Sequence, residues 1–211
     1  MHKLLNYLQL IGETFSWKKK WDSVLSGSIE NADVKWFDGG ELNITENCLD
    51  RHLEERSDKV ALIFEPNDPN GEVVEYTYKQ LHEAVSKSAN MIKDLGVRKG
   101  DRVCFYMSMV PELLIGVLAT ARIGAVHSVV FGGFSADALA ARINSCRAKV
   151  VITADGSPRG GHVTNLKSSV NDALSKVKHN CKCLCVRHTG QAIVWQKNDY
   201  WLHELEQNLY L

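Results

Sequence analysis

The most regular hydrophobic pattern in the chain follows Thr77, where Leu81, Ala84, Val85, Ser88, Ala89 and Ile92 recur at the spacing of one helix face. Thr77 and Gln80 form a T-x-x-Q capping box ahead of it, and Gly96 stands just past its end, where a left-handed residue closes a helix. Upstream, Val60 to Phe64 and Glu72 to Tyr76 read as paired strands joined across Pro66-Asn67-Asp68-Pro69-Asn70-Gly71, residues that preset φ or tolerate positive φ. Downstream, Arg102 to Met107, Val126 to Val130, Lys149 to Thr153 and Lys182 to Val186 predict strands. Between them, Pro111 to Arg122, a stretch from N-cap Ser135 through Asn144, and amphipathic Leu166 to Val177 predict helices. Strands and helices alternating in this way predict an α/β fold with a largely parallel sheet.

The chain before Asn47 is patterned differently. Lys3 to Ile11 predicts an amphipathic first helix. Phe15, Trp17, Trp21, Trp36 and Phe37 are then spread among lysines, aspartates and Gly39-Gly40, which reads as an irregular, aromatic-rich arm lying on something larger. The expected division is therefore an arm over residues 1–47 and an α/β domain over 48–211. No internal repeat or low-complexity segment is visible.

Charge narrows the function classes. The 211 residues carry 25 basic and 25 acidic side chains, so no long-range field gathers nucleic acid or anionic membrane, and any phosphate site must be local. The longest mainly apolar stretch, Leu113 to Val126, contains Arg122 and is too short to span a bilayer. The N-terminus lacks a small-x-small cleavage site, and six cysteines in this pattern do not resemble a secreted disulfide framework. These features predict free thiols and a cytoplasmic location.

Candidate chemistry gathers in two loops. Neither G-x-x-x-x-G-K-[ST] nor G-x-G-x-x-G after a strand is present. Phe131-Gly132-Gly133-Phe134-Ser135 brings glycine to the carboxyl end of a strand, the edge where open α/β sheets bind ligands, although a tight turn explains two glycines equally well. Asp155-Gly156-Ser157-Pro158-Arg159-Gly160-Gly161-His162 sets a guanidinium fork beside backbone that a phosphate ester can approach. The commoner arrangement for such a loop is a solvated Arg159 pairing with Asp155. Cys181, Cys183 and Cys185, flanked by His179 and His188, fall in line on one strand face and read as small hydrophobes rather than zinc ligands. No nucleophile, carboxylate pair or Ser/His/Asp constellation stands out, and Met107, Met109 and the scattered aromatics are taken as core. A sheet whose last strand is Lys182 to Val186 is expected to leave that edge uncovered.

Several separate motifs then agree with one family. Trp17, Lys20 and Trp21, then Asp33-Val34-Lys35-Trp36-Phe37-Asp38-Gly39-Gly40 and Asn47-Cys48-Leu49-Asp50-Arg51-His52, resemble the start of the AMP-forming acetyl-CoA synthetases of the adenylate-forming superfamily. Gly100-Asp101-Arg102-Val103, Met109-Val110-Pro111-Glu112-Leu113, Ala121 to Ser128, Phe131 to Ser135 and Asn198 to His203 follow in the family's order, so the resemblance covers nearly the whole chain. It implies an acetate-CoA ligase that joins acetate to ATP, with Mg, as acetyl adenylate and passes the acetyl group to coenzyme A. It also implies that Arg159, Gly160, Gly161 and His162 contact the phosphorylated nucleotide end of coenzyme A, with Gly133 beside them. The family usually carries arginine at both ends of that four-residue stretch, and here the second end is His162. The family's phosphate loop, acyl pocket, ribose aspartate and catalytic lysine lie beyond the point matching Trp201, and Glu206 to Leu211 does not continue into the family's next segment. The 48–211 part is accordingly expected to be a truncated first portion of the AMP-binding domain, with no catalytic residue and no activity alone. A non-catalytic form that binds coenzyme A or a full-length partner, and a propionyl-CoA synthetase, are the alternatives. The substrates expected are small molecules, with no nucleic acid or membrane partner, and the oligomeric state is unread.

Overall fold

The computed structural model describes residues 2–207, which fall into two compact units dividing at Glu55 and Arg56. The first holds α1 (His2–Glu13), a hairpin of β1 (Ser23–Ser26) and β2 (Lys35–Asp38), α2 (Ile44–Cys48), a 3-10 turn at Asp50–His52 and α3 (Leu53–Arg56), whose last residue opens the second unit. The hairpin and short helices are order that the sequence pattern does not show in the arm. Its aromatics form the local core: Trp17, Trp21 and Phe37 meet with ring centroids 4.9–5.5 Å apart. The Trp17 indole donates to Gly12 O at 2.8 Å. Gly12 is required there, because a Cβ would lie 2.6 Å from the Phe37 ring.

The second unit opens with an antiparallel pair, β3 (Val60–Phe64) and β4 (Val74–Thr77), and α4 (Tyr78–Asp94) packs on it. Both halves of the Thr77–Gln80 capping box form, and Gly96 takes φ +97° beyond the helix end. There follow β5 (Arg102–Met107), α5 (Pro111–Arg122), β6 (Val126–Phe131), α6 (Ala136–Cys146) and β7 (Val150–Ala154). After these come β8 (Ser157–Arg159), β9 (His162–Thr164), α7 (Leu166–Leu174), β10 (Lys182–Val186), β11 (Asp199–Trp201) and α8 (Leu202–Gln207). Strands β5, β6, β7, β10 and β11 make one wholly parallel sheet in the order β11-β10-β7-β5-β6.

Position in that order explains the sequence of each strand. Central β5, β7 and β10 are covered on both faces and are almost continuously apolar, whereas edge strand β6 keeps Val126, Val129 and Phe131 exposed. The expectation that β10 ends the sheet is corrected: β11 pairs with it through Cys183–Cys185, and three residues with two large aromatics give too short a pattern to read as a strand. The sheet therefore runs one strand further, and its exposed apolar edge is β6. Met109 also departs from expectation, lying 83% exposed rather than in the core.

Relabelled by order along the chain, the sheet reads 2-1-3-4-5. The chain steps from β5 to β6 on one side, then crosses back to β7 and continues outward on the other. Right-handed crossovers put α5 on one face and α6 and α7 on the other, so the connections leaving neighbours β5 and β7 part to opposite faces of the sheet. Among the described residues no helix is long and apolar enough to cross a membrane. Asn208 to Leu211, the end of the tail compared with the family above, lie outside the described residues.

Candidate site at the carboxyl ends of the parallel strands

The point where the connections after β5 and β7 part is where an open α/β sheet offers a crevice, and both candidate loops border it. After β7 the chain does not form the open polar loop expected but a tight hairpin, with Arg159 pairing His162 across the two-residue turn Gly160-Gly161. Both glycines have positive φ, +55° and +79°, as a type I′ turn requires, so a hairpin alone accounts for the glycine pair. The turn places Arg159 and His162 side by side at the tip, and His162 Nδ1 lies 3.4 Å from Gly160 O.

After β6 the second loop closes on the first. A Cβ on Gly133 would sit 2.6 Å from the Phe131 ring and 2.7 Å from Arg159 Nη1, so only glycine lets the guanidinium approach the backbone here. Arg159 lies 5.4 Å from the Phe131 ring centroid, held over an exposed aromatic face. The glycine turn is anchored from below: buried Tyr106 donates its hydroxyl to Phe134 O at 2.8 Å, and burial pushes that phenol's pKa up. Ser135 caps α6 by accepting from Ala138 N, as its position predicts.

Between the loops lies a cleft of about 450 Å³ that includes Ser108, Met109, Phe131, Gly133 and Arg159 in its wall. An adjoining cleft of about 800 Å³ shares Ser108, Met109, Leu113, Val129 and Ser157 with it. The combined shape is an apolar trough with a guanidinium at one end. Exposed Met109 thus lines a cleft wall, and Met107, its neighbour on β5, is the one that packs inside.

The pairing of Arg159 with Asp155 does not occur. Asp155 is 1% exposed, and its Oδ1 accepts the backbone N–H groups of Gly156, His188 and Thr189 at 2.7–2.9 Å. Its Oδ2 accepts Gly190 N at 2.7 Å and Thr189 N at 3.2 Å. Burial raises its pKa, but the N–H groups of Thr189, His188, Gly190 and Gly156 outweigh that and hold the carboxyl below its ordinary value. With that carboxylate occupied, Arg159 has no acidic partner among the described residues. The sequence shows Asp155 but not its role, because its carboxylate's partners other than Gly156 lie more than 30 residues downstream.

Cys183 and Cys185 lie on β10 and are fully buried, whereas Cys181, which the sequence places in line with them on one strand face, is buried just before the strand begins. Burial pushes the Cys181 and Cys185 thiols up to about 12 and that of Cys183 well above its ordinary value. Among the described residues no group of three or more His, Cys, Asp or Glu side chains could hold a metal ion.

Residues 49–206 match the model of the AMP-binding enzymes. The chain belongs to the AMP-binding enzyme family. Residues 8–48 of this AMP-binding family member match the acetyl-coenzyme A synthetase N-terminus. The acetyl-coenzyme A synthetase of Alkalilimnicola ehrlichii is 48% identical over 89% of this chain and 29% of its own length. That of Vibrio cholerae is 47% identical over 92% of this chain and 30% of its own. The resemblance drawn from the tryptophan, glycine and arginine motifs is borne out by these matches. The solved acetoacetyl-CoA synthetase from Streptomyces lividans superimposes with TM-score 0.86 over 98% of this chain and 31% of that one, at 24% identity, which shows a shared fold. The chain spans about 30% of the length of the curated relatives it matches.

Proposed function

We propose that this chain is the coenzyme A-gripping first part of an acetate-CoA ligase that forms acetyl-CoA from acetate, ATP and coenzyme A by way of acetyl adenylate. The observation that carries the reading is the juxtaposition of Arg159 with Gly133 at the mouth of an apolar trough. A phosphate ester suits the guanidinium fork, and the trough accepts the less polar body of a molecule anchored there. Acetate as acyl group rests on the relatives' names alone. Arg159, His162 and the Gly133, Gly160 and Gly161 backbone are the proposed coenzyme A contacts, and the arm over 1–47 with the AMP-binding portion from 48 onward is the proposed division.

ATP and Mg belong to the complete ligase, of whose relatives' length this chain spans about 30%. The chain by itself therefore binds coenzyme A without adenylating acetate, in the cytoplasm, where its six thiols stay free. Acetate-dependent exchange of pyrophosphate into ATP tests this: the purified chain is expected to match a blank, and exchange above the blank overturns the assignment of adenylation to residues outside it.

A further inference from the structure

Asp155 occupies a site built for an anion. The backbone N–H groups of His188, Thr189 and Gly190 all turn inward, with Gly190 at φ +74°, and form the concavity that elsewhere receives phosphate. Here the chain fills it with its own carboxylate. That carboxylate lies between two segments: the strand it follows, β7, and the hairpin it precedes, β8–β9. Its backbone continues the arrangement, with Asp155 N donating to Val186 O at 3.0 Å and Asp155 O accepting Gln191 Nε2 at 2.7 Å.

The hairpin is seated on this loop. A Cβ at Gly156 would meet Gln191 Nε2 at 2.4 Å, Thr189 Oγ1 at 2.6 Å and Val163 Cγ1 at 2.8 Å, so the hairpin base and the 188–191 loop are in close contact. The other side-chain hydrogen bonds to the hairpin and its approach are long: Ser108 Oγ to Gly156 O at 3.4 Å and Asn67 Nδ2 to Pro158 O at 3.5 Å. The short bonds that fix where the hairpin starts are those of Asp155, and Arg159 is four residues further along.

We infer that Asp155 is a positioning residue for Arg159: by drawing the 188–190 loop onto its carboxylate it holds the hairpin base, and so sets the guanidinium against Gly133. This rests on the coenzyme A reading for its consequence in binding but not for its consequence in structure. Asp155→Asn is nearly isosteric and turns an amide NH2 toward backbone donors, leaving them unpaired.

The test has two readouts on the whole chain. Hydrogen exchange of Asp155→Asn is expected to accelerate at residues 157–164 and 188–191 while β5 and β7 keep their protection. Calorimetry with coenzyme A, and with the same molecule lacking the ribose phosphate, is expected to show the wild-type preference for the phosphorylated form falling at least tenfold. Binding of the dephosphorylated molecule should stay unchanged. Unchanged exchange in the hairpin overturns the proposal, as does faster exchange that leaves the preference intact. If Asp155→Asn does not fold, Gly190→Ala applies the same test: it strains the backbone that supplies the Oδ2 donor and leaves the carboxylate in place, and it must give the same localised pattern in smaller measure. A wild type without preference for the phosphate removes the coenzyme A reading instead, and the exchange result still decides the role of Asp155.

Discussion

Lys167 and Asp199 form an ion pair at 2.7 Å, with side chains 0% and 1% exposed. Replacing Lys167 by Met keeps an apolar stem of similar length and removes the ammonium group. Asp199 then retains Gln196 N at 2.6 Å on Oδ2, while its buried Oδ1 already has no donor among the described residues. Breaking a buried pair in this way costs about 3–5 kcal/mol, because one charge is left without compensation. For a chain of this size that corresponds to a fall in Tm of roughly 6–20 °C. Replacing both members, as Lys167→Met with Asp199→Leu, removes the stranded charge and should recover at least half of the loss. Urea unfolding with unchanged slope measures the three differences. A single Lys167→Met variant within about 1 kcal/mol of wild type, or a double variant as unstable as the sum of its parts, would show that no uncompensated buried charge is left on Asp199.

Gly133→Ala should leave stability within about 1 kcal/mol, since its Cβ meets an exposed ring and the far end of a flexible arginine. It should nonetheless weaken coenzyme A binding, measured by calorimetry, by displacing Arg159. At pH 8 a thiol reagent should label Cys48 and Cys146 promptly and the four buried cysteines only after denaturation, as mass spectrometry of the labelled chain can check. Because the Asp155 carboxyl is held below its ordinary value of 3.8, its contribution to stability is present above that pH and is lost as pH falls through the lower folded value. Asp155→Asn should therefore be destabilised at pH 7 and flatten the acid limb of the stability profile below about pH 4, which denaturant melts across pH would show.

Most of the α/β unit was legible because its strands and helices are local patterns. Pro111 and Arg122 bound α5 as expected, Ser135 caps α6, and Lys182 to Val186 is β10 to the residue. What stayed hidden depends on distant partners. β11 is three residues long and is recognisable only through its pairing with β10. The hairpin at Ser157 to Thr164 lacks an apolar alternation, and only the paired positive φ values of Gly160 and Gly161 betray the turn. Asp155 looked like the natural partner of Arg159, four residues away, yet it faces inward to donors at positions 188–190. The likeness to the family named the candidate site residues, and the structure brings Arg159 and Gly133 together in one cleft wall, whereas Gly160, Gly161 and His162 stand at the exposed hairpin tip outside its lining.

Arg159 is proposed to grip a phosphate of coenzyme A. A charge-assisted hydrogen bond contributes about 1.5–3 kcal/mol, so losing one should weaken binding by roughly 10- to 150-fold. Calorimetric titration of coenzyme A into the wild-type chain and into Arg159→Ala measures this directly. A drop within that range is expected for coenzyme A, with matching melting curves for the two proteins. Equal affinity of the two proteins for coenzyme A would contradict it.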